Sequence, residues 1–398
     1  MAKSNLRDTQ KYGVPLYGAA WAPLDRVRSR LKSREPPAEK EREADGGGGR
    51  GGDAAAADGD RGCLVLAGGG GEGKSGIPNA VLLAEYDFPS GSLSEQPVAK
   101  LGTGSELPYR MAVHPQGDGV LCAMPNCCRW FEWEDPENSE DHKLGLKMSE
   151  KVLGQLENVI QQLALVFSHD GSLLAAGGED GKLMVFKWPS MDIFLNEDQA
   201  HKTVKDLAFS LDGKFLVSLG DSGPCRVWDL ASSVAVASLP KEDGEDFRFC
   251  RFSQSSEGTQ VLYVAAVTGR GASILTWNTS SWKRISSKHV VRVPVIAFNV
   301  SADGKLLAVG TTEGDIIIIN STSMKTQTVV RKAHLGFVTA LAFSHDSRAI
   351  ASVSMDSSAT VTQVQDTNNG GGSRLWLIIC IVLLAIAAEF MRRRGLFS

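Results

Sequence analysis

The chain has no excess of basic charge. Its 398 residues carry a formal net charge of −4. A binder of nucleic acid needs a basic surface against the phosphate backbone, and that class is not expected here. There is no C-x-x-C pair of the kind that holds zinc. The seven cysteines are odd in number and include the neighbours Cys127 and Cys128. Met1 to Tyr17 contains no continuous apolar stretch of the kind a secretory leader needs. The bulk of the chain is therefore expected to meet the reducing cytosol with free thiols. No Ser/His/Asp or paired-carboxylate constellation stands out for hydrolysis.

What is present is a long apolar run near the C-terminus. Leu375 to Met391 reads LWLIICIVLLAIAAEFM, preceded by Arg374 and followed by Arg392, Arg393 and Arg394. Seventeen residues at helical rise span about 25 Å, which suits a thin bilayer. The expectation is a single membrane anchor over 374–391, reached through a short joint at 367–373 that contains Gly370–Gly372. Residues 392–398 are expected as a lumenal tail. The positive-inside rule would instead keep the three arginines in the cytosol. The large preceding segment has no signal to carry it across a membrane, and that consideration sets the orientation.

The middle of the chain repeats itself. An apolar strand ends in F-S, a D-G or similar turn follows, and a second apolar strand begins. Phe167-Ser168-His169-Asp170-Gly171 precedes SLLAAGG, and Phe209-Ser210-Leu211-Asp212-Gly213 precedes KFLVSLG. Phe252-Ser253, Ser301-Ala302-Asp303-Gly304 and Phe343-Ser344-His345-Asp346 open the later copies, and Val113-His114-Pro115 a weaker one. From Phe167 the intervals to Phe209, Phe252, Phe298 and Phe343 are 42, 43, 46 and 45 residues, the WD-repeat period. Trp228-Asp229 is the dipeptide itself. Ala200-His201 and Ala333-His334 stand where the repeat places G-H, and each histidine is expected to bond to a turn within its own blade.

Each unit reads as a small antiparallel sheet, and such sheets hide their edges by packing radially. The expected fold is all-β: a seven-bladed WD-repeat β-propeller over 1–366, followed by the single C-terminal transmembrane helix. Six units are readable from about 109 to 364. The seventh must draw on Tyr12–Trp21, Cys63–Ala67 and Ala80–Phe88, with an N-terminal strand completing a C-terminal blade. Asp25–Arg61, rich in charge, glycine and alanine, is expected to be a disordered insertion.

The stretch Gly68-Gly69-Gly70-Gly71-Glu72-Gly73-Lys74-Ser75 satisfies the phosphate-loop pattern G-x-x-x-x-G-K-[ST]. A phosphate loop needs a helix beginning at the Lys-Ser pair. Gly76 and Pro78 follow instead, and Ala80–Tyr86 then reads as a strand. A nucleotide hydrolase is therefore not the expected reading.

The same stretch resembles the loop GGGG-x-x-K-T-G-x-x-N-x-V of the endoplasmic-reticulum exchange factors that activate the Sar-type small GTPase of COPII coats (the Sec-twelve family). Gly68–Gly71, Lys74-Ser75-Gly76, Asn79 and Val81 stand at that spacing, with serine for threonine. The opening Tyr12-Gly13-Val14-Pro15-Leu16-Tyr17 followed by Trp21 looks like the plant members. The resemblance implies a membrane-anchored guanine nucleotide exchange factor without covalent chemistry. It implies a loop projecting from the first blade, an exchange-essential asparagine at Asn79, and a partner-facing segment of Gly73, Lys74, Ser75, Gly76, Ile77 and Pro78. It also implies a potassium ion held by loop backbone, with Gly68, Gly69, Gly70, Gly71 and Gly76 as candidates. The implied setting is the endoplasmic-reticulum membrane, with the propeller in the cytosol and a Sar-type GTPase as partner. The alternative is a non-catalytic trafficking adaptor on the same scaffold, serving cargo membrane proteins. The retained glycines and Asn79 favour exchange.

Overall fold

The computed structural model describes residues 7–34, 60–73, 75–125, 127–134, 144–151, 153–221, 223–254 and 258–364. Residues 6–363 form one compact unit. It contains seven antiparallel sheets. The innermost strand of each sheet lies against that of the next, and that of the seventh lies against that of the first, so the ring closes. The seven-bladed propeller expected from the repeat period is the observed architecture. The expected anchor at 374–391 lies outside the described residues. Among the described residues no helix is long and apolar enough to cross a membrane.

The repeat motif builds the hairpin between the first two strands of a blade. In blade three, Ser168 Oγ donates to Asp170 Oδ1 (2.5 Å) and accepts from Leu173 N–H (3.0 Å). Ser210, Ser301 and Ser344 repeat both contacts in blades four, six and seven. Serine thus ties the turn's aspartate to the start of the second strand.

The histidines bond within their blades, to strand serines rather than to turns. His201 Nε2 meets Ser218 Oγ at 2.8 Å, and the same hydroxyl receives Trp228 Nε1 at 2.9 Å. Buried His334 bridges Ser358 (2.6 Å) and Ser352 (2.7 Å).

Blade seven is completed by Arg7–Lys11, which pairs with Ser358–Gln363. Blade one is built from Leu16–Trp21, Arg61–Gly68, Asn79–Asp87 and Ala99–Gly104. The N-terminal stretch therefore serves two blades, one strand to each. Trp21 holds them together: its indole N–H donates to Ala342 O (3.0 Å), and its ring packs on Tyr86 and Phe88.

The insertion departs from expectation over its first part. Leu24–Arg34 is a helix, α1, and strand structure resumes at Arg61. Leu24, Val27 and Leu31 recur at helical spacing and pack on the core between blades one and two. Pro23 suits the helix start, Asp25 lies in the first turn, and the C-terminal turns are basic, which complements the helix dipole. Residues 35–59 lie outside the described residues.

Burial holds the His334 imidazole neutral, with its pKa pushed down to about 4, and His201 is pushed down to about 4 for the same reason, reinforced by Arg226. The unfolded chain takes up these protons near pH 6.5. Between those values the unfolded state binds more protons, so this contribution is complete above pH 6.5 and is lost as pH falls toward 4. For His334 the loss is roughly 3 kcal/mol. Urea midpoints should therefore drop between pH 7 and 4, and His334→Gln should flatten that drop while lowering stability at pH 8.

Candidate functional site

Gly68 to Asn79 joins the second and third strands of blade one at one end of the ring. Its base is fixed to the backbone before it. Gly69 N–H donates to Pro15 O (2.9 Å), and Gly68 pairs with Leu16 and Ala80 in the sheet. Blade seven braces the same spot, through Thr339 Oγ1 donating to Leu16 O at 2.6 Å.

Asn79 closes the loop from inside. Implied by the resemblance as part of a projecting loop, it is instead the first residue of a strand and is 3% exposed. Its Oδ1 accepts from Gly71 N–H (3.0 Å), and its Nδ2 donates to Gly71 O (2.9 Å) and Gly104 O (3.0 Å). The carboxamide thus pairs with Gly71 in a double hydrogen bond and ties the loop to the outer strand of its blade. Both Nδ2 hydrogens are used, so Asn79 has none to offer a partner. Gly69 permits this closeness, because a Cβ there would lie 2.1 Å from Asn79 Oδ1. Gly71 itself turns through a left-handed φ of 87°, which favours glycine.

Beyond the clamp the loop faces solvent. Gly73, Ser75, Gly76, Ile77 and Pro78 are exposed, and Lys74 lies outside the described residues. Ser75 Oγ donates to Gly70 O (3.2 Å) and receives Ile77 N–H (3.2 Å), which sets the far side of the loop. The chain then enters strand Asn79–Asp87 rather than a helix. The phosphate-loop pattern therefore lacks the helix terminus that would receive a phosphate.

Neutral carbonyl oxygens suit a large monovalent cation in kind. Gly71 O does not fit the expected set, because it already accepts from Gly73 N–H (2.8 Å) and from Asn79, which takes both lone pairs. Gly70 O accepts one hydrogen bond, from Ser75. Gly68, Gly69, Gly70 and Gly76 remain as candidates. Among the described residues no three His, Cys, Asp or Glu side chains gather as a metal site. Burial pushes the Cys63 thiol up to about 12 and raises those of Cys122, Cys225 and Cys250 as well, which leaves them unreactive.

The same end of the ring carries exposed apolar side chains that sequence reasoning missed. Leu335 is 83% exposed and Phe337 51%, both in the connection from blade six into blade seven, and Met355 is 46% exposed in a turn within blade seven. Leu335 N–H donates to Asp356 (2.6 Å), which brings the two turns together. Ile77 adds 37% exposure on the loop itself, and Ile160 stands free at the same end of blade three. The signal was available in Leu335-Gly336-Phe337, an apolar pair in a turn between repeats where polar residues are usual.

Comparison with known proteins agrees with this architecture. Residues 165–280 match the family described as anaphase-promoting complex subunit 4 WD40 domain, and residues 325–361 match the WD domain, G-beta repeat. The chain is 55% identical to SEC12-like protein 2 of Arabidopsis thaliana, over 92% of its own length and 90% of the relative's. SEC12-like protein 1 of the same plant is 29% identical, over 80% of each chain. The guanine nucleotide-exchange factor SEC12 of Rattus norvegicus is 25% identical, over 72% of this chain and 79% of the relative.

The clamp makes a stability prediction. Asn79→Ala leaves the Gly71 N–H and the Gly71 and Gly104 carbonyls without this partner and should cost about 1–3 kcal/mol. Asn79→Asp keeps an acceptor but sets a negative charge against two carbonyls, and should cost more. Thermal melts check the first effect. Faster proteolysis within 68–79 checks that the loop, rather than the whole propeller, has loosened.

Proposed function

The chain belongs to the SEC12-like family, and from that premise we propose that it is a guanine nucleotide exchange factor for a Sar-type small GTPase. In this reading it is anchored in the endoplasmic-reticulum membrane through 374–391 and starts COPII coat assembly. The observation that carries the proposal is the glycine-rich loop. It is shaped by an internal amide and presented at the ring end that also exposes Ile77, Leu335, Phe337 and Met355.

A small GTPase holds its nucleotide through Mg²⁺, phosphate-loop amides and ordered switch segments. An exchange factor breaks no covalent bond. It binds the nucleotide-free state more tightly than the loaded one and so shifts the population. A closed ring supplies a rigid platform, and exposed apolar side chains supply area for a switch segment to bury. The clamped loop can then project Ser75–Pro78 toward the region a switch vacates. Asn79 is a positioning residue in this scheme, because its side chain is committed to backbone groups of the loop and of the outer strand of its own blade. Where potassium binds, the Gly68, Gly69, Gly70 and Gly76 carbonyls would hold it, and it would supply positive charge to the loop.

Release of a fluorescent GDP from a Sar-type GTPase tests the proposal. Wild type should accelerate it. Asn79→Ala should reduce that acceleration at least tenfold, in step with loop loosening. Ile77→Ser should weaken the response to exchange-factor concentration without lowering the melting temperature. Replacing potassium with lithium should reduce the acceleration if the carbonyls hold the ion. No acceleration by wild type would refute exchange and favour a non-catalytic adaptor.

A further inference from the structure

The strands of blade one run between two ends of the ring. Leu16, Gly68 and Ala80 mark the end that carries the glycine-rich loop, and Trp21, Arg61 and Asp87 mark the other. Helix α1 follows Trp21 and lies at that second end. The compact unit also ends there. Gln363 pairs with Ala349, and its side-chain amide donates to Phe88 O (2.6 Å), one residue beyond Asp87. Arg348 beside it reaches Asp60 at 3.7 Å.

The sequence of α1, LDRVRSRLKSR, carries five basic residues against one acid. Its apolar side is already covered, with Val27 fully buried and Leu24 and Leu31 packed on the core. Arg30 pairs with Asp118 and donates to Gln116 O (2.8 Å), and Arg26 bonds the Gln116 carboxamide, which seats the helix on the blade-two hairpin. Arg26, Arg30 and Lys32 nonetheless stay exposed. The hairpin aspartates at this end of blades three, four, six and seven are drawn back onto their own serines. A helix with a covered apolar side cannot insert into lipid. What remains is surface electrostatics, of the kind that draws basic segments to anionic headgroups.

We propose that α1 rests on an anionic bilayer surface, so that the propeller turns its α1 end to the membrane and its glycine-rich loop away from it. This rests on the reading of 374–391 as an anchor. Two observations choose the occupant. Eleven residues, Val364 to Arg374, separate the end of the compact unit from the apolar run. They reach at most about 40 Å when fully extended, and they start from the α1 end. The charge of α1 is also opposite to that of phosphatidylserine or phosphatidylinositol headgroups. The contact acts over about a Debye length, 8–10 Å, and weakens with salt.

The test uses the full chain in phosphatidylcholine nanodiscs with and without phosphatidylserine. Lysines are acetylated in both and read by mass spectrometry. Lys32 reports on α1, and exposed Lys332, whose N–H bonds Asp315 at the loop end, is the reference. Phosphatidylserine should slow acetylation of Lys32 about fivefold relative to Lys332. High salt should abolish the difference. A chain that enters both discs but labels Lys32 equally overturns the contact alone. Equal slowing at Lys32 and Lys332 overturns the orientation. A chain that stays out of both discs overturns the anchor and the contact together.

Discussion

The loop depends on one carboxamide. Asn79 uses its oxygen and both its amide hydrogens on backbone groups of Gly71 and Gly104. A glycine-rich segment pays a large conformational entropy to adopt one shape. Three hydrogen bonds from a buried side chain offset part of that cost without adding bulk to the exposed tip. The glycines and the asparagine therefore make one device: Gly69 leaves room for the amide, and the amide holds Gly71.

The device needs a fixed frame. Pro15 and Leu16, which brace the loop base, stand where the link from the strand that completes blade seven enters the innermost strand of blade one. Ring closure and loop shape thus share a few residues. Loosening the Arg7–Lys11 strand would slacken the base of the loop as well as the ring, because Tyr12–Pro15 is all that separates the two.

Much of the architecture was legible in the sequence because each repeat uses local chemistry. The Ser-x-Asp turn is closed by contacts within five residues, so the Phe167, Phe209 and Phe343 copies announce themselves. The closing N-terminal strand was also inferable, since six readable units leave one to complete. The burial of Asn79 was not legible. A polar residue after Ile77-Pro78 reads as exposed, and the partners of its side chain, Gly71 and Gly104, lie 8 and 25 positions away. Helix α1 was hidden by composition, because the spacing of Leu24, Val27 and Leu31 is submerged in charge. The exposed Leu335 and Phe337 adjoin Ala333-His334 at a repeat boundary, where an apolar pair reads as readily as the start of a buried strand as an exposed turn.

Exchange activity is a difference between two affinities, and this separates an exchange factor from an adaptor that merely holds a GTPase. The most direct measurement is calorimetric binding of the chain to a Sar-type GTPase in its nucleotide-free and GDP-loaded forms. The account predicts binding to the nucleotide-free form at least a hundredfold tighter, about 2.7 kcal/mol. Equal affinities for the two forms would contradict it, because a ligand that binds both states alike shifts neither.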